Sequence, residues 1–253
     1  MAEMLLTCIE PTANIIGDAE NPNTITNKDS QLLFGEKFEV TEEHGAYVYG
    51  QGIHDSYKGF VERVNLAKNI PNPNAVVKIR ATHIYDEPDF KTRPDTYLPF
   101  LSRVTITEDH ENGFIALDGG GWIFSDHLTA LDDFKMPDDI AQTATMFLGT
   151  PYLYGGRSTF GIDCSGLVQQ VLMAHGHKDI PRDSGDQQKS FGKETSEDNL
   201  QRNDIVFFDG HVGIMMDEKF ILNATARHMT TVIEDIAELK KAYGDTKFIA
   251  RLQ

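Results

Sequence analysis

The chain is poor in cysteine, in positive charge and in long apolar runs, and each shortage removes a class of protein. Only Cys8 and Cys164 occur in 253 residues, in unrelated contexts, so no disulfide framework is expected and a free thiol suits a reducing compartment. Lys and Arg number 23 against 39 Asp and Glu, a formal charge of -16 with no basic patch to offset it. Such a surface repels an extended phosphate backbone, so no nucleic-acid partner is expected. No apolar run approaches the roughly 18 to 20 residues needed to cross a bilayer, and no membrane insertion is expected. The first 25 residues have no basic start, and Glu10, Pro11 and Asn14 break their apolar stretches, unlike a secretory signal. A soluble, cytoplasmic protein is expected, as a monomer.

What is present is a 40% hydrophobic content, enough for more than one core. From about residue 28 to residue 131 one pattern occurs twice. Phe38 and Val40 in the first copy, and Val104 and Ile106 in the second, mark a short alternating strand. An acidic turn, a second strand, a glycine and a third strand follow in each. Two small antiparallel barrels are predicted, over residues 1–70 and 71–134, joined at the turn-rich segment N-I-P-N-P-N from Asn69 to Asn74. Residues 135–253 read as an α+β domain. Its first helix is expected from about Asp138, as cap, to Leu148, ended by Gly149. A second helix follows from Cys164 to His175, and then strands at Ile205 to Phe208, Val212 to Met216 and Phe220 to Ala224.

Cys164 stands after a glycine-rich loop, P-Y-L-Y-G-G-R-S-T-F-G-I-D, at the first turn of an apolar-faced helix. A buried cysteine is most often a small core residue. Here Asp163 and Ser165 flank it with polar groups, and Gly161 and Gly166 remove bulk around it. Free N–H groups and the positive end of the helix dipole favour a thiolate there, so a lowered thiol pKa is expected, and the same N–H groups suit an oxyanion. A nucleophilic thiol needs a base. In F-F-D-G-H-V-G-I-M-M, His211 stands at the mouth of a strand whose alternate residues anchor it in a sheet. Asn223, twelve residues later on the next strand, is placed by a hairpin where its amide can accept the imidazole N–H. For Asn223 the plain reading, a strand-end amide, is equally open.

The segments P-Y-x-Y-G-G, G-I-D-C-S-G, N-D-I-V-F-F and G-H-V-G-I, in this order, resemble the NlpC family of papain-like cell-wall peptidases, over residues 138 to 253. The doubled barrel resembles two bacterial SH3-like domains that often precede it. The resemblance implies a papain-like cysteine peptidase domain behind two small all-β SH3-like barrels. It further implies cleavage of the γ-D-glutamyl–diamino acid bond in peptidoglycan stem peptides, with no cofactor and no metal. By position it makes Cys164 the nucleophile, His211 the base, Asn223 the orienting group in place of a histidine found in many members, and Tyr152 the hydroxyl donor to the oxyanion. His228 is a weaker candidate for the orienting position.

A subgroup acting on stem peptides with a free N-terminal L-alanine implies a recognition set of Asp163, Ser165, Arg182, Ser184, Tyr57 and Glu36. A free ammonium requires a carboxylate, and Asp163 is the expected one. For Arg182 a structural salt bridge with a nearby acid is the competing reading. Peptidoglycan-derived peptides are thus the expected partners, and recycling of released fragments the expected role. An N-acetylmuramoyl-L-alanine amidase or acyltransferase of the same fold remains an alternative, which the ammonium role of Asp163 would disfavour. A decayed wall-binding protein is the other.

Overall fold

Alternation of apolar and polar residues, one face of each strand buried and the other wet, dominates the first half of the chain. In the computed structural model, residues 4–20, 28–132, 134–137, 139–191 and 194–252 are described, and the chain divides into two compact units, residues 1–134 and 135–253.

The first unit is all β. Strands β1 (Met4–Cys8), β2 (Thr12–Ile16), β3 (Lys28–Leu33), β4 (Lys37–His44), β5 (Tyr47–Gly52), β6 (Lys58–Glu62) and β7 (Leu66–Ala67) form an antiparallel sheet in the order β3-β2-β6-β5-β4-β1-β7. They close over Leu6, Cys8, Ile15, Leu32, Phe38, Val48 and Val61. Next come β8 (Ala75–Val77), β9 (Ala81–Tyr85), β10 (Pro94–Pro99), β11 (Arg103–Val104), β12 (Ile106–Glu111), β13 (Phe114–Leu117), β14 (Trp122–Phe124) and β15 (Leu128–Ala130). These pair as β10-β9-β14-β13-β12 and β11-β8-β15 around a separate cluster that includes Val77, Leu98, Ile115 and Ile123.

Both sets contain a three-stranded meander, β4-β5-β6 and β12-β13-β14. A 3-10 turn follows in each, Arg63–Asn65 and Ser125–His127, and then a short closing strand, β7 or β15. The β12–β13 turn is Asn112-Gly113 with φ of 50° and 83°, the left-handed pair that a two-residue hairpin requires. The stretch broken by Glu10, Pro11 and Asn14 is not idle: Pro11 lies in the link between β1 and β2. β1 pairs with β4 and β7, and β2 pairs with β3 and β6.

The second unit is α+β. It contains α1 (Ile140–Ala144), β16 (Arg157–Ser158), β17 (Gly161–Ile162), α2 (Cys164–Ala174), α3 (Ser184–Ser190), β18 (Ile205–Phe208), β19 (His211–Met215), β20 (Phe220–Thr225), β21 (Thr230–Asp235), α4 (Ile236–Tyr243) and β22 (Phe248–Ala250). The sheet order is β21-β20-β19-β18-β22, and α2 packs against β19 and β20.

The first helix is shorter than its apolar spacing predicts: α1 ends at Ala144 and a 3-10 turn, Thr145–Phe147, completes the segment. Asp138, the expected cap, lies outside the described residues; Asp139 caps α1 by accepting from the Gln142 N–H at 2.7 Å. Helix α2 is buried on nearly every side, polar residues included. Fully buried Arg157 of β16 donates its Nε–H to Gln169 Oε1 at 2.6 Å and so ties the helix to the preceding hairpin.

Candidate functional site

The site is built where α2 meets β19. Asp163 caps α2 in extended conformation, its Oδ1 accepting from the Gly166 N–H at 2.8 Å, so that Cys164 is the first residue of the helix. A Cβ on Gly166 would stand 2.3 Å from the Gly156 carbonyl oxygen. This glycine therefore admits the Gly155–Gly156 loop against the first helical turn. Gly161 is likewise closed by Leu153, whose Cβ would lie 2.8 Å away. The bulk these glycines remove is thus taken up by the Gly156 backbone and the Leu153 side chain.

The Cys164 thiol is buried beside the N–H groups of Val212 and Ser165, which places it against the strand that starts with His211. Its pKa is opposite to the expected direction. Burial pushes the thiol up to about 12 and the nearby Asp163 charge adds to the rise; the two N–H groups and Arg182 pull against it without prevailing. A helix dipole is legible in a sequence, whereas the depth to which the thiol sinks is not. Burial also lowers the His211 pKa, more than its bond to Asn223 and the Glu234 charge raise it. Burial thus favours the neutral form of each group.

Pairing of Ile214 with Leu222 and of Met215 with Ile221 puts His211 and Asn223 on one face of the β19–β20 hairpin. His211 Nε2 lies 2.9 Å from Asn223 Oδ1, both side chains buried. An amide oxygen only accepts, so Nε2 carries the hydrogen and Nδ1 the lone pair. Behind Asn223, its Nδ2 donates to Glu234 Oε1 at 3.1 Å, and Arg227 Nη1 donates to Glu234 Oε2 at 3.1 Å. His228 does not meet the imidazole; it is half-exposed, its Nε2 3.7 Å from Glu234 Oε2. The phenol of Tyr243, at the end of α4, stacks on His211 with ring centroids 4.3 Å apart and planes 13° from parallel. Its hydroxyl shares a hydrogen bond with Thr225 Oγ1 at 3.1 Å.

Tyr152 is half-buried, its backbone N–H bonded to the Met229 carbonyl at 3.0 Å. Burial first, and then the negative charge of Asp163 and of an ionised Cys164, raise its phenol pKa and keep the hydroxyl a donor. Arg182 takes the salt-bridge reading. Its Nη1 donates to Asp163 Oδ1 at 3.0 Å and to Ser165 Oγ at 2.8 Å, and its Nη2 to Asp163 Oδ2 at 2.6 Å. Asp163 Oδ2 also accepts from the Gly155 N–H at 2.8 Å. The expected bare carboxylate for a substrate ammonium is thus a compensated one, because the guanidinium already supplies its counter-charge. Ser184 opens α3 with a half-buried side chain. Gln187, from the same helix, donates to the Ser165 and Pro181 carbonyls at 2.9 Å each.

Glu36 and Tyr57 belong to the first unit. The buried Glu36 carboxylate accepts from the Leu33 N–H at 2.9 Å and lies 3.5 Å from His54 Nδ1. Tyr57 packs on the first core, its backbone N–H bonded to Asp55 Oδ1 at 3.0 Å. Among the described residues no group of three or more His, Cys, Asp and Glu side chains is arranged to hold a metal ion, and no helix is long and apolar enough to cross a membrane. Both thiols are free. Glu234, Arg227, Tyr243 and Gln187 join the site without a motif of their own in the sequence. The one available signal was the diagonal between Asn223 and Glu234 on a β20–β21 hairpin, which requires knowing that 230–235 is a strand.

A thiol at a helix start, an imidazole at the head of the adjoining strand and an amide behind it make a Cys–His–Asn constellation. Residues 149–251, which contain all three, match the NlpC/P60 family and form a domain of that family. Residues 21–66 match the bacterial dipeptidyl-peptidase Sh3 domain. The gamma-D-glutamyl-L-lysine dipeptidyl-peptidase of Bacillus subtilis (strain 168) is 32% identical over 196 residues, 71% of this chain and 63% of the relative. A protein of the same name from Bacillus cereus is 31% identical over 215 residues, 73% of this chain and 61% of the relative. The chain therefore spans less than two thirds of the length of either. In fold it is similar to the crystal structure of an NlpC/P60 family protein from Bacillus cereus, with a TM-score of 0.84 over 98% of this chain and 99% of that chain at 19% identity.

Proposed function

We propose that the protein is a cysteine peptidase that hydrolyses the γ-D-glutamyl–diamino acid bond of peptidoglycan stem peptides. The observation that carries this reading is the His211–Asn223 bond of 2.9 Å with Cys164 seated against the adjoining strand. In the proposed reaction His211 Nδ1 takes the thiol proton as Cys164 attacks the γ-carbonyl. The Tyr152 hydroxyl and the N–H groups at the start of α2 stabilise the oxyanion. Collapse expels the diamino acid with the proton from His211, and a water deprotonated by the same imidazole hydrolyses the thioester. We assign residues 135–253 to the catalytic domain, papain-like in fold, and residues 1–70 and 71–134 to two SH3-like barrels.

The names of the two Bacillus relatives support a free amino end in the substrate, since a dipeptidyl-peptidase removes a dipeptide from one. L-Ala-γ-D-Glu-diamino acid is the proposed substrate, with Asp163, Ser165, Arg182 and Ser184 bordering its site. Such a requirement would direct the enzyme to released fragments, and so to recycling. Incubation with L-Ala-γ-D-Glu-meso-diaminopimelate and with the L-lysine analogue is expected to free the diamino acid. Cys164→Ala is expected to abolish this while leaving the circular dichroism spectrum unchanged; turnover in that variant would refute the mechanism. Acetylation of the substrate's amino end is expected to suppress turnover, and equal rates would remove the free-alanine claim. Tyr57→Phe and Glu36→Gln ask separately whether the first unit contributes to recognition.

The Arg182–Asp163 pair favours keeping one second reading. With its charge compensated, Asp163 no longer disfavours an acylated alanine, so an N-acetylmuramoyl-L-alanine amidase is distinguished by product: it would release peptides with a new alanine amino end from a muramoyl group.

A further inference from the structure

Behind the Cys164–His211–Asn223 line stands a carboxylate that the reaction above leaves unused. The amide of asparagine has nearly the same shape either way round, and an amide facing only an imidazole can present its oxygen or its NH2. If the NH2 faced His211, Nε2 would have to accept, the hydrogen would move to Nδ1, and the lone pair needed by Cys164 would vanish. Glu234 removes the ambiguity. A carboxylate only accepts, and Glu234 Oε1 lies 3.1 Å from Asn223 Nδ2, so only the NH2 end can point its way. The register makes this possible: Asn223 pairs with Val232, and Glu234 is the diagonal neighbour two residues on, on the same sheet face.

We propose that Glu234 is a positioning residue for catalysis: it holds the Asn223 amide with its oxygen toward His211, selects the Nε2–H tautomer, and lends the orienting amide a negative charge that asparagine lacks. This rests on the reading of Cys164 and His211 as nucleophile and base. Asn223 replaces no charge by itself; the ion stands one hydrogen bond further out, its side chain only 12% exposed. It favours the imidazolium formed as the thiol proton moves. The charged and titratable groups around the His211 ring are Glu234 on β21, Arg227 in the β20–β21 turn, Asp163 and Cys164 at the start of α2, and Tyr243 on α4. Glu234 and Asp163 raise the His211 pKa, whereas Arg227 lowers it. The competing account is that Glu234 merely anchors Arg227.

The test uses the full chain with 15N-labelled histidine. In the wild type, in Glu234→Asp and in Arg227→Ala, His211 is expected to resonate as the Nε2–H tautomer, and in Glu234→Ala as a mixture. With stem peptide, Glu234→Ala should lower kcat about tenfold with KM within about twofold, and Asn223→Ala/Glu234→Ala should be no slower than Asn223→Ala alone. Glu234→Gln keeps an acceptor but loses the charge, so the acid limb of its kcat/KM profile should move to lower pH. A purely structural Glu234 would lower the melting temperature but leave the tautomer, the acid limb and kcat at their wild-type values, and that result overturns the proposal. If the wild type turns over no stem peptide, the proposed function fails, while the tautomer measurement still decides the role of Glu234.

Discussion

Arg182 grips both oxygens of Asp163, Nη1 at 3.0 Å from Oδ1 and Nη2 at 2.6 Å from Oδ2, directly beside the nucleophile. The two side chains are 1% and 8% exposed, so neither charge has water to fall back on. Removing the guanidinium alone would strand a buried carboxylate, whereas removing both leaves two small neutral groups. Arg182→Ala is expected to cost about 3 to 5 kcal/mol in denaturant unfolding of the second unit, and Arg182→Ala/Asp163→Ala less than the single change. A single variant within about 1 kcal/mol of wild type would show that the pair is not holding the start of α2.

Asn223→Ala takes away the acceptor at 2.9 Å from His211 Nε2 and frees the ring to turn. The expected loss in kcat is about 10²-fold, since small misplacements of a reacting group have effects of that size. Asn223→His restores an acceptor and should recover part of the loss. An alanine variant with wild-type kcat would mean that the Tyr243 stack alone orients the base.

Tyr152→Phe deletes one hydroxyl and little volume. If that hydroxyl faces the developing oxyanion, kcat should fall about 10² to 10³-fold with KM nearly unchanged. A variant that loses affinity at constant kcat would instead assign Tyr152 to substrate binding.

The pH dependence follows from two displaced groups. Burial holds His211 below its ordinary value of 6.5, so the neutral base persists into acid, and the acid limb of kcat/KM should lie below pH 6.5. The same shift is a stability statement: below pH 6.5 the unfolded chain binds a proton that the folded one refuses, and stability is lost as pH falls through the lowered value. Cys164, pushed up to about 12 from 9.0, acts at the other end. Its contribution is complete below pH 9.0 and is lost as pH rises toward 12, where only the unfolded thiol ionises freely. Cys8, raised over the same span by burial in the first unit, adds to the alkaline loss. Unfolding free energies measured across pH should show both slopes, and an acid limb above pH 6.5 would contradict the burial of His211.

Legibility of the site in the sequence was uneven for physical reasons. Cys164, His211 and Asn223 announce themselves because local signals coincide: a cap residue, a strand alternation and a hairpin spacing. Helix α3, S-G-D-Q-Q-K-S, has no apolar period to reveal it, and only the buried Gln187 anchors it. Strand β1 finds its partners β4 and β7 far along the chain, and β2 reaches past its neighbour β3 to β6, so their five-residue patterns look like broken apolar runs. Glu234 and Tyr243 reach His211 through the packing of β21 and α4, which no window around His211 contains. Burial, which no local window contains, reverses the direction that the helix start alone gives the thiol pKa.

The stack of Tyr243 on His211 ties the ring to the last helix as well as to the sheet that carries it. The Asn223 bond limits spin of the ring and the flat contact limits tilt. Helix α4 has eight residues, of which Ile236 and Leu239 are buried. A helix with only two buried side chains is expected to open before the five-stranded sheet it packs on. Gentle warming would then unlatch the imidazole while the strands are still paired, and the protein would fall silent as a catalyst before it comes apart as a fold.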